Sequence, residues 1–257
     1  MTTTLDTPAS RATRRNRVPM DPVRRSAFLG GAAYLITFAS SIPAVFLLRP
    51  VLNDPGYVLG SGADAQVTFG TMLDLVNALA AIASAVVLFP VVKRQSEALA
   101  LGFVTTRLFE AAVIVVGVVS LLTVVSLRQP GASGGEADAL MVAGRSLVAT
   151  YDWTFLLGPN VMASLNALVL GTLLYRSGLV PRILPAMGLV GAPMLLAVTI
   201  ATIFGLTEHG TVWWVVAAPI FVWELSLGLY LVLKGFKPCP VTDGLVATPT
   251  AHRHTDA

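Results

Sequence analysis

Six long apolar runs, separated by short polar stretches, organise this chain of 257 residues. They cover roughly residues 26 to 48, 67 to 92, 100 to 127, 152 to 175, 183 to 206 and 211 to 234. About 20 apolar residues of helix cross the hydrocarbon core of a bilayer, so each run predicts one transmembrane helix. The runs lack the polar alternation of barrel strands, and hydrocarbon offers exposed backbone no partner, so every crossing must close its own hydrogen bonds. The expected fold is therefore all-α, a polytopic bundle of six transmembrane spans over residues 26–234. Residues 1–25, rich in Arg, Thr and Pro, are expected to form a disordered basic arm, and residues 235–257 a disordered tail.

Composition agrees with a membrane domain and leaves no room for a separate soluble one. Hydrophobic residues make up 55% and charged residues only 12%, against roughly a quarter charged in a soluble globule. The few charges orient the chain, because Lys and Arg are retained in cytoplasmic connections. Arg11, Arg14, Arg15, Arg17, Arg24 and Arg25 precede the first span, Lys93 and Arg94 follow the second, Arg176 and Arg182 the fourth, and Lys234, Lys237 and Arg253 the sixth. The opposite connections hold only Arg49, Arg128 and Arg145, with acidic Asp54, Asp64, Glu136, Asp138 and Glu208 beside them. Both termini are thus predicted to be cytoplasmic. Tyr151, Trp153, Trp213 and Trp214 mark the outer boundary, and Tyr175 and Tyr230 approach the inner one, as interfacial aromatics do.

Several chemistries drop out. Cys239 is a lone cysteine, so no internal disulfide forms, and His209, His252 and His254 all lie outside the apolar runs. Haem ligation by paired histidines, a helical H-E-x-x-H zinc site and a Cys/His nucleophile are excluded within the membrane, and no cofactor or metal is expected. The net charge of +3 does not imply nucleic acid, because the basic residues are scattered between spans rather than gathered with aromatics on one surface. Arg24-Arg25-Ser26-Ala27-Phe28 loosely matches a twin-arginine export signal, but the apolar run behind it is too long and five further spans follow. Gly60-Ser61-Gly62-Ala63-Asp64-Ala65 matches a dinucleotide fingerprint without the preceding strand that the fingerprint requires, so it reads as a turn.

What remains is a small set of polar residues inside the spans. Asp74, Arg107, Glu110, Asp152 and Glu224 lie within or at the edge of apolar runs, where a charge costs about 3 kcal/mol or more, so each is expected to face the bundle interior with a partner. Arg107 and Glu110, three apart, share one helix face. Glu224 lies at a similar depth in the sixth span, so one arginine can serve two glutamates. Asp74, Asn77, Ala81 and Ser84 make a polar and small face on the second span. In the fourth, Asn160 follows Pro159, and Ala163, Ala167 and Gly171 form a small-xxx-small seam for a neighbouring helix. Pro43, Pro159, Pro193 and Pro219 are expected to interrupt helices, a device common at transporter sites and in membrane helices generally. The candidate ion or substrate site is Asp74, Asn77, Arg107, Glu110, Asp152, Asn160 and Glu224.

Three stretches carry a family likeness: Arg107-Leu108-Phe109-Glu110, Asp152-Trp153-Thr154-Phe155-Leu156-Leu157-Gly158-Pro159, and Leu174-Tyr175-Arg176-Ser177-Gly178-Leu179-Val180-Pro181-Arg182. With them the chain resembles, from about Arg24 to Lys234, the domain-of-unknown-function 4386 family of bacterial membrane proteins. The resemblance implies six helices in the bacterial cytoplasmic membrane and assigns no activity, catalytic residue or cofactor. Fourteen arginines against three lysines agree with a high-GC bacterial genome. Without a general base or nucleophile motif, no enzymatic activity is expected. The leading reading is a non-catalytic membrane scaffold, sensor or accessory protein with a buried polar network. A small proton- or ion-coupled transporter using the intramembrane carboxylates is the alternative. The expected partners are membrane lipids, with room for a membrane-protein partner or a homo-oligomer, and no nucleic acid.

Overall fold

The computed structural model describes residues 20–60, 62–208 and 210–243. The basic residues expected in the arm up to Arg17, the turn residue Ser61, the three histidines and residues 244–257 of the expected tail lie outside the described residues. Among the described residues there are eight α-helices, all but the short α2 contributing to six spans: α1 (Pro22–Leu47), α2 (Arg49–Asn53), α3 (Asp64–Val92), α4 (Glu97–Leu127), α5 (Gly135–Phe155), α6 (Ala163–Ser177), α7 (Ile183–Ile203) and α8 (Thr211–Leu233). A π-helical segment, Leu156–Met162, joins α5 to α6, so these form one span of 43 residues. Among the described residues, six helices are long and apolar enough to cross a membrane. With an even number of spans, residues 20 and 243 share one end of the bundle, called proximal below; the other end is distal.

The spans pack cyclically. α1 meets α3, α3 meets α4, α4 meets the α5–α6 span, α6 meets α7, α7 meets α8, and α8 returns to α1. This closing contact is made backbone to backbone: a Cβ added at Gly31 would sit 2.7 Å from the Gly228 carbonyl oxygen. The small-residue seam of α6 receives α7, with Gly171 against Leu189 and the Pro185 backbone. In the proximal half the ring is filled, by Leu88, Phe103, Leu170, Leu173, Leu174, Leu227 and Leu231 among others. Trp223 lies flat on Gly188, leaving no room for a side chain there. α6 ends at Gly178, whose φ of 70° is the left-handed conformation that a helix C-terminus favours in glycine.

Three sequence expectations are corrected. The helix that carries the fourth apolar run does not begin with that run near residue 152; it starts at Gly135. At ~1.5 Å per residue it is about 65 Å long, roughly twice the hydrocarbon thickness, so its first half stands beyond the distal end. The charges Glu136, Asp138 and Arg145 conceal this helix from a search for uniformly apolar runs. Yet Leu140, Met141, Gly144, Leu147, Val148 and Tyr151 recur at helical spacing, and they pack on a distal cap of Leu48, Val51, Tyr57, Val58, Leu121 and Val124. The cap is tied by Arg128, which bonds Asp64 and donates to the Gly60 carbonyl (2.7 Å), and by the Tyr57 hydroxyl donating to Asp64 (2.9 Å). Burial and the Asp64 carboxylate push the Tyr57 phenol above its ordinary range.

The second correction concerns the arm. Helix α1 starts at Pro22, and Arg24 donates to the Leu231 and Val232 carbonyls (2.8 and 2.6 Å). These belong to the last turn of α8, whose carbonyls lack intrahelical donors, so a guanidinium there has a defined place. Third, residues 236–243 are not loose: the Lys237 amide donates to the Leu179 carbonyl (2.8 Å), Arg94 donates to the Asp243 carbonyl (3.0 Å), and Phe236 and Val241 pack on the core. Pro43, Pro193 and Pro219 lie inside helices that continue through them rather than breaking.

Candidate functional site

Halfway through the ring the helices bring together residues from four spans. Arg107 of α4 donates through Nη1 to Glu110 Oε2 (3.0 Å) and through Nη2 to Glu224 Oε1 of α8 (2.9 Å) and to the Tyr34 hydroxyl of α1 (2.9 Å). Its guanidinium carbon lies 5.0 Å from the centre of the Tyr34 ring and 5.9 Å from that of Phe103, close enough for cation–π attraction. From α6, Asn166 donates to Glu110 Oε2 (2.6 Å), and its own carbonyl accepts from Thr106. Arg107 is 3% and Glu110 6% exposed, so this is a desolvated cluster in which every bond counts. It holds one permanent cation against two carboxylates.

The cluster forms the floor of a cavity of about 600 Å³ in the distal half of the ring. The cavity runs between α1 and α8 from Phe46, Trp213 and Trp214 at the distal rim down to Glu224, Arg107 and Glu110. Trp214 and Glu224 are ten residues apart on one helix, or ~15 Å of depth, about half the hydrocarbon thickness. Asp74 and Asn77 of α3 line the same space, and Asp74 Oδ2 accepts from the Tyr151 hydroxyl (3.1 Å).

Asn160 also lines the cavity, and its local role is legible. Pro159 has no N–H to give to the Phe155 carbonyl four residues earlier; the Asn160 side chain donates to that carbonyl instead (3.0 Å). The proline thus produces a widened turn rather than a break, which is why α5, the π-helical segment and α6 read as one span. Such π-helical turns are frequent at functional sites.

Six of the seven residues singled out in the sequence, Asp74, Asn77, Arg107, Glu110, Asn160 and Glu224, meet at this cavity. Asp152 does not: it is exposed and lines a smaller cavity of about 220 Å³ with Asp54, Tyr57 and Arg145 near the distal cap. Its expected inward position assumed that the span begins there, whereas the helix already extends well past it. Sequence reasoning missed Tyr34, Thr106 and Asn166. A tyrosine twelve residues into the first helix, too deep for an interfacial belt, was the available signal for Tyr34. Asn166, one residue from the Ala163–Ala167 seam, was a buried amide by position.

No curated protein and no solved structure matches the chain. The family model described as a domain of unknown function, DUF4386, matches residues 29–235. That match covers most of the sequence and all six spans, and the protein belongs to that family.

Proposed function

We propose that this multi-pass membrane protein is an ion-coupled transporter of a small solute, with the distal cavity as binding site and the Arg107, Glu110 and Glu224 cluster as coupling group. One observation carries the reading: a cavity of about 600 Å³ reaches intramembrane carboxylates, where a purely structural ion-pair network is enclosed by packed side chains. The filled proximal half supports it, since each end state of alternating access has a path to one side only. A single arginine facing two carboxylates leaves a formal negative charge that a proton or a small cation can balance. The scaffold, sensor or accessory reading keeps one observation in its favour, the engagement of both Arg107 Nη groups by carboxylates. No catalytic step belongs to either reading.

The excess of Arg and Lys at the proximal connections supports a reading in which that end is cytoplasmic and the cavity faces outward across a bacterial cytoplasmic membrane. The test is ion flux in proteoliposomes, read with H⁺, Na⁺ and K⁺ indicators across a range of pH. Transport predicts flux above that of protein-free liposomes and its loss in a Glu224→Gln variant that elutes from gel filtration as the wild type does. Flux at background level for all three ions in both proteins refutes ion coupling and returns the polar cluster to a packing role.

A further inference from the structure

We infer that the cavity is built for an amphipathic monovalent organic cation, a protonated amine carrying an apolar body, whose head lies among Asp74, Glu110 and Glu224 while the body lies along the aromatic wall. The inference rests on the binding-cavity reading above and adds the chemistry of the occupant.

The wall is strongly unbalanced in charge. Among the described lining residues the ionisable groups are Asp74, Glu110 and Glu224 against Arg107 alone, apart from the Tyr151 phenol. That arginine is already engaged, since both Nη atoms bond carboxylates or Tyr34, and its Nε is shut away from solvent without a partner. An anionic ligand would therefore meet two surplus negative charges and no free positive one.

The carboxylates, by contrast, have capacity to spare. Glu110 takes both of its bonds at Oε2, Glu224 its bond at Oε1 and Asp74 its bond at Oδ2. Glu110 Oε1, Glu224 Oε2 and Asp74 Oδ1 have no hydrogen-bond donor among the described residues, although Glu110 and Asp74 are only 6% and 9% exposed. The Asn77 side chain likewise makes no hydrogen bond there. Carboxylate oxygens that open onto a cavity call for donors from its occupant, and an ammonium group supplies them together with the charge that the wall lacks.

The rest of the wall fixes the other end of the ligand. Phe155, Phe221 and Trp214 face the space above the carboxylates. A bare divalent metal is poorly matched, because no group of three or more His, Cys, Asp or Glu is placed to hold a metal ion among the described residues. An alkyl or aryl chain buries against those rings, and their faces attract its ammonium on the way in. A volume of about 600 Å³ falls within the range of sites for drug-sized molecules.

Three probes of one shape separate charge from size: 4-phenylbutylamine, 4-phenylbutanol and 4-phenylbutanoate, titrated calorimetrically at neutral pH into the purified full chain in detergent, with the protein-free titration subtracted. The amine is expected to bind about tenfold or more tighter than the alcohol, the gain of one charge-assisted bond, and the acid weakest of all. Asp74→Asn, which leaves the Arg107 bonds intact, is expected to weaken the amine by about tenfold and leave the alcohol unchanged. Glu224→Gln is expected to do the same. Equal binding of alcohol or acid overturns the cation assignment and leaves the cavity reading standing. Absence of binding by all three likewise overturns the amphipathic-cation assignment, and the transport reading then stands or falls on the ion-flux assay above.

Discussion

Replacing Arg107 by Met removes the one cation from the middle of the ring and keeps much of its volume. The variant deletes bonds of 3.0, 2.9 and 2.9 Å to Glu110, Glu224 and Tyr34. The lost bonds are the smaller part of the damage. Two carboxylates are left facing each other, with Glu110 still held by Asn166 and the Glu224 side chain only 15% exposed. Removing one partner of a buried ion pair costs about 3–5 kcal/mol, because the remaining charge is uncompensated. At a few degrees per kcal/mol, the thermal midpoint falls by about 10 °C. Glu224→Gln behaves differently. It leaves Arg107 and Glu110 as a one-to-one pair, and its amide oxygen still accepts from Nη2, so its cost is about 1 kcal/mol. The triple variant Glu110→Gln, Arg107→Met, Glu224→Gln holds no charge in the cluster and is expected to recover most of the loss, to within about 2 kcal/mol of wild type. The assay is heating of the detergent-purified proteins followed by gel filtration of the surviving monodisperse fraction. The charge argument is refuted if Arg107→Met is no less stable than Glu224→Gln, or if the triple variant is no more stable than Arg107→Met alone.

Three other outcomes follow from separate parts of the molecule. Gly31→Ala drives a methyl group into the Gly228 backbone and is expected to cost about 1–3 kcal/mol; Gly102→Ala, whose added Cβ meets only Val169 at 3.9 Å, is the neutral control in the same heating assay, and equal midpoints would falsify the close α1–α8 contact. Arg128→Ala removes the bonds to Asp64 and Gly60, so limited proteolysis is expected to cut residues 54–63 faster while leaving the spans intact; unchanged digestion counts against that tie. Fusions of a periplasmically active phosphatase to the C-terminus are expected to be inactive and fusions of a fluorescent protein to be bright, and the reverse pattern inverts the proposed orientation.

The spans and the central ion pair were legible because each rests on a local pattern. Uniform apolarity over more than 20 residues announces a crossing, and a spacing of three put Arg107 and Glu110 on one face before any fold was known. Long-range closure was less accessible. That Glu224 meets Arg107 requires α8 to lie beside α1 and across from α4, which depth alone permits but does not dictate. Tyr34 and Asn166 escaped notice because each sits alone among apolar residues, and a lone polar group acquires meaning only from what faces it. The first half of α5 was hidden for the opposite reason. Its apolar residues occupy one stripe of a water-facing helix, a period-3.6 signal that averaging over a window erases. The cavity is a property of how six helices splay, and no single stretch of sequence encodes it.

The pairing of Arg107 with Glu110 on one helix also bears on how the protein is made. Helices enter the membrane largely one at a time, and each buried charge raises the free energy of that step by about 3 kcal/mol. The segment α4 carries its own counter-ion one turn away, so it partitions into lipid as a nearly neutral rod. The last segment has no such companion: Glu224 arrives alone, and the group that neutralises it is already waiting in α4, installed three spans earlier in the same ring. Docking of the last helix is thus driven by charge toward α4 as well as by the fit of Gly228 to Gly31 of α1. A chain that stops before α8 has an unfinished electrostatic circuit as well as an open side.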